Sequence, residues 1–156
     1  MGFPGSGKTW LGSRIAKKFG IPFWDANIVR TIYNDWDFSK KGRERQALRM
    51  RKLAEVDRMS ISAFIAPLPR YVENFFSAWK TAPDKLIWMD TVKECQYEDT
   101  NKLFIPPTTY DLRITKWIDE NQLFKYLDDI NFGTKDIQNF SNELIEKLDK
   151  LPILHE

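Results

Sequence analysis

Three glycines, a lysine and a threonine at the start of this 156-residue chain form its clearest chemical pattern. Gly2-Phe3-Pro4-Gly5-Ser6-Gly7-Lys8-Thr9 fits G-x-x-x-x-G-K-[ST], the phosphate-binding P-loop. Glycines let the backbone curl so that successive N–H groups point at phosphate oxygens. Lys8 supplies a point charge that reaches β- and γ-phosphates. The Thr9 hydroxyl suits a Mg²⁺ ion that keeps several waters. Trp10 follows in the helical run TWLGSRIAKKF, whose N-terminal dipole faces the same phosphates. The implied cofactors are ATP and Mg²⁺, with Lys8 as a catalytic charge. A chance glycine-rich turn before a helix is the bland alternative. Only Met1 precedes Gly2, so the buried strand that ordinarily leads into such a loop is expected to be truncated.

A triphosphate needs an acceptor, and phosphoryl transfer needs a carboxylate to orient the metal or take the acceptor's proton. Asp25 closes the apolar run Ile21-Pro22-Phe23-Trp24 and is the best candidate for both duties. It also stands where a helix N-cap belongs, and the two roles are compatible. Asp90 closes Lys85-Leu86-Ile87-Trp88-Met89 in the same way, but there a helix start at Thr91 is the stronger reading. Arg30 lies five residues after Asp25, just over one helical turn onward. A basic run opens at Lys40-Lys41-Gly42-Arg43-Glu44-Arg45 and continues through Arg49, Arg51 and Lys52. Most of it reads as a solvated helix face. Arginines near its start are placed to grip an anion in bidentate fashion. Trp36 and Phe38, between the basic residues, are suited either to stacking on a base or to simple core packing.

The periodicity predicts how these residues are positioned. Helices are expected over residues 8–19, 27–34, 42–59, 69–79, 118–130 and 135–151, and strands over 21–24, 60–66, 85–90 and 111–115. Core candidates are Trp10, Leu11, Ile15, Ala16 and Phe19, then Ile28, Ile32 and Tyr33, then Leu48, Leu53 and Val56. Strands alternating with helices imply an α/β fold, a P-loop three-layer sandwich with a parallel sheet. Asp25, Pro67 and Asp90 then fall at carboxyl ends of strands, where such sheets bind ligands. The whole chain reads as one domain, with residues 91–108 as a candidate lid.

Composition narrows the partners. A net charge of +2, from 24 basic and 22 acidic residues, argues against a nucleic-acid partner despite the local basic run. The single cysteine, Cys95, excludes an internal disulfide, and there is no apolar run of membrane-spanning length or signal-like segment. A cytoplasmic protein without a membrane partner is expected. The lone His155 and the absence of a Cys/His cluster offer no zinc site.

The order of motifs resembles the adenylylsulfate kinase family, small P-loop kinases that transfer the ATP γ-phosphate to the 3′-hydroxyl of adenosine 5′-phosphosulfate. The resemblance spans roughly residues 2–67. Gly2 to Thr9 matches the family's loop. Asp25-Ala26-Asn27-Ile28-Val29-Arg30 looks like its D-G-D-N-[VI]-R segment. Phe38-Ser39 followed by Arg43 looks like its G-F-S-x-x-D-R segment, and Ala63-Phe64-Ile65-Ala66-Pro67 like its [SA]-F-I-S-P strand end. The resemblance implies that Gly2, Pro4, Gly5, Ser6, Gly7, Lys8, Thr9 and Trp10 bind ATP, and that Thr9 and Asp25 approach Mg²⁺. It implies that Arg30 and Arg43 contact the sulfate–phosphate group and that Phe38 stacks on the substrate adenine. Gln46 stands where the family has a substrate-contacting Asn, and Ile65 would line the acceptor site through its backbone. The chain departs from the family at Asn27, where a second aspartate is usual, and at Gly42 and Ala66. The family's Lys/Gly-rich lid is replaced by residues 97–107, with Lys93 or Lys102 expected to reach the phosphates. Members are often homodimers.

Three readings follow. The leading one is a kinase acting on adenosine 5′-phosphosulfate. A second is a kinase of the same architecture acting on another anionic metabolite, such as a nucleotide or sugar acid. A third is a nucleotide-binding protein without transferase activity, which Asn27 and the altered lid favour.

Overall fold

The computed structural model describes residues 1–57, 59–65 and 85–132. The expected helices over 69–79 and 135–151, the Ala66-Pro67 strand end and His155 lie outside them. The described elements run α1 (Lys8–Phe19), β1 (Phe23–Asp25), α2 (Ala26–Ile32), α3 (Lys40–Val56), β2 (Ile61–Ala63), β3 (Ile87–Met89), α4 (Glu98–Leu103), β4 (Leu112–Ile114) and α5 (Glu120–Asp129). Local chemistry sets the boundaries. Gly20 ends α1 in the left-handed conformation. The Ser39 hydroxyl accepts from Gly42 N at 3.2 Å to open α3. Asp119 and Gln122 close a reciprocal capping box on α5.

Both strand pairs among the described residues are parallel. β1 pairs with β2, Phe23 opposite Ile61 and Asp25 opposite Ala63. β3 pairs with β4, Ile87 opposite Leu112 and Met89 opposite Ile114. Among the described residues these are two separate two-stranded sheets rather than the single sheet expected. Met1 and Gly2 lie alongside β3, where Met1 N donates to Ile87 O at 2.7 Å and Met89 N donates to Met1 O at 2.8 Å. Among the described residues that segment makes one parallel bridge, Gly2 to Met89.

Side-chain alternation along β1 shows how the layers stack. Phe23 meets α1, where a Cβ on Gly12 would fall 2.3 Å from its ring. Trp24 points the other way and donates its indole N–H to Asp57, the C-cap of α3, at 2.8 Å. Asp25 returns to the α1 side and meets Thr9. Helix, sheet and helix therefore form three layers. The main core joins Leu11 and Ile15 of α1, Met89, Ile114 and Ile118, and Leu123 and Leu127 of α5, all buried.

Two sets of expected core residues are corrected. On α2, Ile28, Ile32 and Tyr33 are more than half exposed, and Val29 is the buried apolar side chain. On α3, Leu48 and Val56 are exposed while Met50 and Ala54 are fully buried. The reason is that each helix turns a polar residue inward with its apolar partner. Arg30 of α2 is buried beside Val29, and Gly42, Arg43 and Gln46 of α3 lie on the stripe that leads to Met50. Hydrophobicity alone therefore selects the wrong face. We expect Met50→Ala to destabilise the fold by about 2–5 kcal/mol and Leu48→Ala to stay within about 0.5 kcal/mol. Chemical denaturation of both variants checks this, and equal losses would refute the assigned face.

Candidate active site at the strand carboxyl ends

The phosphate loop is shaped by its own residues first. Ser6 N donates to Phe3 O at 3.2 Å, and Gly7 caps α1 with φ 94°, a conformation that penalises any side chain. The ring of Trp117, itself exposed, packs on the Gly7 backbone. Lys8 Nζ donates to Phe3 O at 2.5 Å, which folds its ammonium over the loop. Burial lowers the Lys8 pKa from 10.5 to about 8, against the opposing pull of Asp25 and Cys95. Thr91 reaches across from beyond β3, donating its hydroxyl to Ser6 O at 2.8 Å. Ser6 Oγ is buried without a hydrogen-bond partner. Pro4 is half-buried and Gly5 exposed at the turn. Trp10 packs partly into the core, with the Arg14 guanidinium 4.2 Å from its ring centroid.

Asp25 joins this loop to the next element. Its Oδ2 accepts from Thr9 Oγ1 at 2.6 Å and its Oδ1 from Asn27 N at 2.8 Å. The carboxylate is buried at the end of β1 and caps α2. Thus the two hard oxygens expected at a metal are in contact, and the capping role is present as well. Asn27 itself is exposed.

Arg30, Phe38 and Arg43 are brought together. The Phe38 ring centroid lies 4.5 Å from the Arg30 guanidinium and 5.7 Å from that of Arg43. Both arginines are buried, while Phe38 is 48% exposed. Arg30 Nη1 donates to Asp35 O and Asp37 O at 2.9 and 3.1 Å. Arg43 Nε donates to Phe38 O at 2.8 Å, and its Nη2 meets Asp99 and Thr100 of α4. The loop over 35–38 is thus wrapped around two cations. Gln46 Nε2 donates to Ala26 O at 3.0 Å, leaving Oε1 buried and unpartnered. Ile65 lies two residues past β2 and is half-buried.

Further along the basic run, Arg45 and Arg49 pair with Asp35, and Arg45 also with Asp37. The Asp37 backbone N–H, then Arg49 and Arg45, hold the Asp35 carboxyl well below its usual range. These residues brace the loop rather than merely facing solvent. The Gly42 position is accounted for by the same loop: a Cβ there would stand 2.2 Å from Asp37 O.

Asp90 is corrected. No helix begins at Thr91, and the buried Asp90 carboxylate instead accepts from Lys93 at 2.6 Å and from Arg113 at 2.9 and 2.5 Å. Lys93 is therefore spent on Asp90, and Lys102 pairs with Glu98, so neither meets the phosphate loop in this structure. What the candidate lid does instead is brace the site. Phe104 stacks on Phe3 with centroids 4.2 Å apart, and α4 reaches Arg43. Thr91, Asp99, Phe104 and Trp117 were not anticipated from sequence. Their partners lie far away along the chain, and no local spacing signals them.

The Lys8 burial gives a pH test. Between pH about 8 and 10.5 the folded protein binds fewer protons at Lys8 than the unfolded chain, so this residue makes stability rise with pH across that window. We expect Lys8→Met to remove that rise, seen as the difference between the two proteins' stability–pH curves. Parallel curves would refute the buried ammonium.

No protein-family model matches this chain, and no curated protein matches its sequence. Solved structures do. The APS kinase CysC of Mycobacterium tuberculosis, in complex with AMPPNP and APS, superposes with a TM-score of 0.66 at 17% identity, covering 82% of this chain and 92% of that one. A cysteine-to-alanine mutant of the same kinase gives a TM-score of 0.62 at 20% identity, covering 83% and 92%. The chain thus has the α/β P-loop fold of these APS kinases.

Proposed function

We propose that this chain is an ATP-dependent small-molecule kinase that phosphorylates the 3′-hydroxyl of adenosine 5′-phosphosulfate. The observation that carries the reading is the Thr9–Asp25 contact at 2.6 Å at the end of β1, and the clustering of Arg30, Phe38 and Arg43 supports it. The shared fold supports it, since one similar structure holds AMPPNP and APS.

In this reading the loop N–H groups over 5–9 and the Lys8 ammonium receive the β- and γ-phosphates, with Gly2, Pro4 and Trp10 shaping the loop's flanks. Thr9 and Asp25 offer hard oxygens that fit Mg²⁺. When bound, that ion offsets charge on the transferred phosphoryl group. Asp25 takes the proton of the acceptor hydroxyl. The acceptor oxygen bonds to the γ-phosphorus as the bond from that phosphorus to the β,γ-bridging oxygen breaks, releasing ADP. Arg30 and Arg43 hold the acceptor's anionic end, Phe38 stacks on its base, and Gln46 and Ile65 line the same side. Residues 91–108 act as the lid of a single kinase domain. A cytoplasmic, homodimeric enzyme completes the proposal, resting on the lone Cys95 and on the resemblance.

An ADP-release assay against adenosine 5′-phosphosulfate, nucleosides, nucleotides and sugar acids tests the acceptor. We expect the first to give the highest turnover. ATP binding with no acceptor turned over would favour a non-catalytic nucleotide binder. Lys8→Ala should abolish turnover, and Arg43→Ala should raise the acceptor KM. Asp25→Asn separates chemistry from folding, because Asn caps a helix about as well as Asp. It should keep the native stability while lowering turnover by roughly 10²–10⁴-fold. Unchanged turnover would remove Asp25 from the mechanism.

A further inference from the structure

We infer that Asp99 sets the affinity of the acceptor site, by holding the Arg43 N–H group that an anionic ligand must take. The inference rests on the acceptor-side reading of Arg43 given above.

The asymmetry of the pair is the starting point. The Arg43 side chain is 8% exposed and the Asp99 side chain 60% exposed. The guanidinium is fixed in place by its Nε–H bond to Phe38 O at 2.8 Å. The carboxylate is not: it reaches inward from the first turn of α4 and has open solvent on its other side. When the pair separates, Asp99 is the member that moves.

Geometry then makes the two anions rivals. A bidentate oxyanion needs two adjacent N–H groups of a guanidinium. Nε of Arg43 is committed to the loop carbonyl, so the remaining edge is formed by Nη1 and Nη2. Nη2 already donates to Asp99 Oδ2 and to Thr100 Oγ1. An incoming sulfate or phosphate oxygen on this edge displaces the Asp99 carboxylate, while Thr100, 3% exposed, stays as a neutral neighbour. Arg30 differs: its own bonds go to the carbonyl oxygens of Asp35 and Asp37, not to a carboxylate. Asp99 thus offsets one of the site's two buried cations, and the ligand's binding is reduced by the strength of that contact.

The backbone of the segment need not move for this exchange. Thr91 is tied to Ser6 O and Phe104 stacks on Phe3, so the stretch that carries α4 is fastened to the phosphate loop on both sides of Asp99. Only the Asp99 side chain has to turn outward.

Calorimetric titration with inorganic sulfate, with the phosphate loop saturated by AMPPNP so that sulfate reports the acceptor side, tests this without any turnover, on wild type, Asp99→Asn, Glu98→Gln and Arg43→Ala, with acceptor KM values run in parallel. We expect Asp99→Asn to tighten sulfate binding about two- to fivefold, the range of a partly exposed ion pair. Glu98 pairs with Lys102 instead, so Glu98→Gln should leave sulfate affinity unaltered, and Arg43→Ala should abolish binding. Unchanged or weaker sulfate binding by Asp99→Asn overturns the inference. So does equal tightening in Glu98→Gln, which would mark a general charge effect, and so does the absence of sulfate binding by both wild type and Asp99→Asn. Tightening in Asp99→Asn without turnover of any acceptor would refute the kinase reading and leave Asp99 standing. Turnover with unaltered sulfate affinity and acceptor KM in Asp99→Asn would refute Asp99 alone.

Discussion

The placement of the phosphate loop against β3 is the constraint on which the site depends. A loop built on glycines has little rigidity of its own. Here it is fixed from outside: the Gly2–Met89 bridge on one flank, the Thr91 hydroxyl on Ser6 O, and the Phe3–Phe104 stack over the turn. With the loop so held, α1 starts in one direction, and Thr9 on its first turn meets the end of β1. Every further distance in the site is measured from that contact. The buried Lys8 ammonium is tolerated because the same arrangement gives it a carbonyl partner and a carboxylate nearby.

The acceptor side is organised on a different principle. The loop over 35–38 has no regular structure and little apolar burial, yet its backbone carbonyls converge on two guanidiniums while its carboxylates hold two more arginines outside. The exposed Arg45–Asp37 pair alone is worth about 0–1 kcal/mol. The value of these contacts here is geometric. They set the position of Phe38 between Arg30 and Arg43 and leave its ring half open to solvent.

Much of this was legible in the sequence, for physical reasons. The 2-to-9 pattern needs its residues consecutive, so it survives as a readable string. The strands ending at Asp25 and Met89 announced themselves as short apolar runs, and the parallel pairing followed from alternation with helices. The inward faces of α2 and α3 were not legible, because buried Arg30, Arg43 and Gln46 occupy positions that hydrophobicity assigns to solvent. Nor was the fate of Asp90, since the cation that fixes it, Arg113, lies 23 residues away. The bracing by Thr91, Asp99 and Phe104 depends on tertiary contacts that leave no trace in local spacing.

The double attachment of Asp25 bears on how such a chain drifts over evolutionary time. Truncation there, as in Asp25→Ala, removes a helix cap, at about 0.5–2 kcal/mol, together with the Thr9 contact, whereas Asn keeps the cap. A lineage relaxing its chemistry would still be held by folding to a capping residue at this position. Asn27, two residues on and exposed at the surface of the same helix, carries no such load on its side chain. Position 25 is thereby confined to residues that cap a helix, while position 27 is under no such constraint.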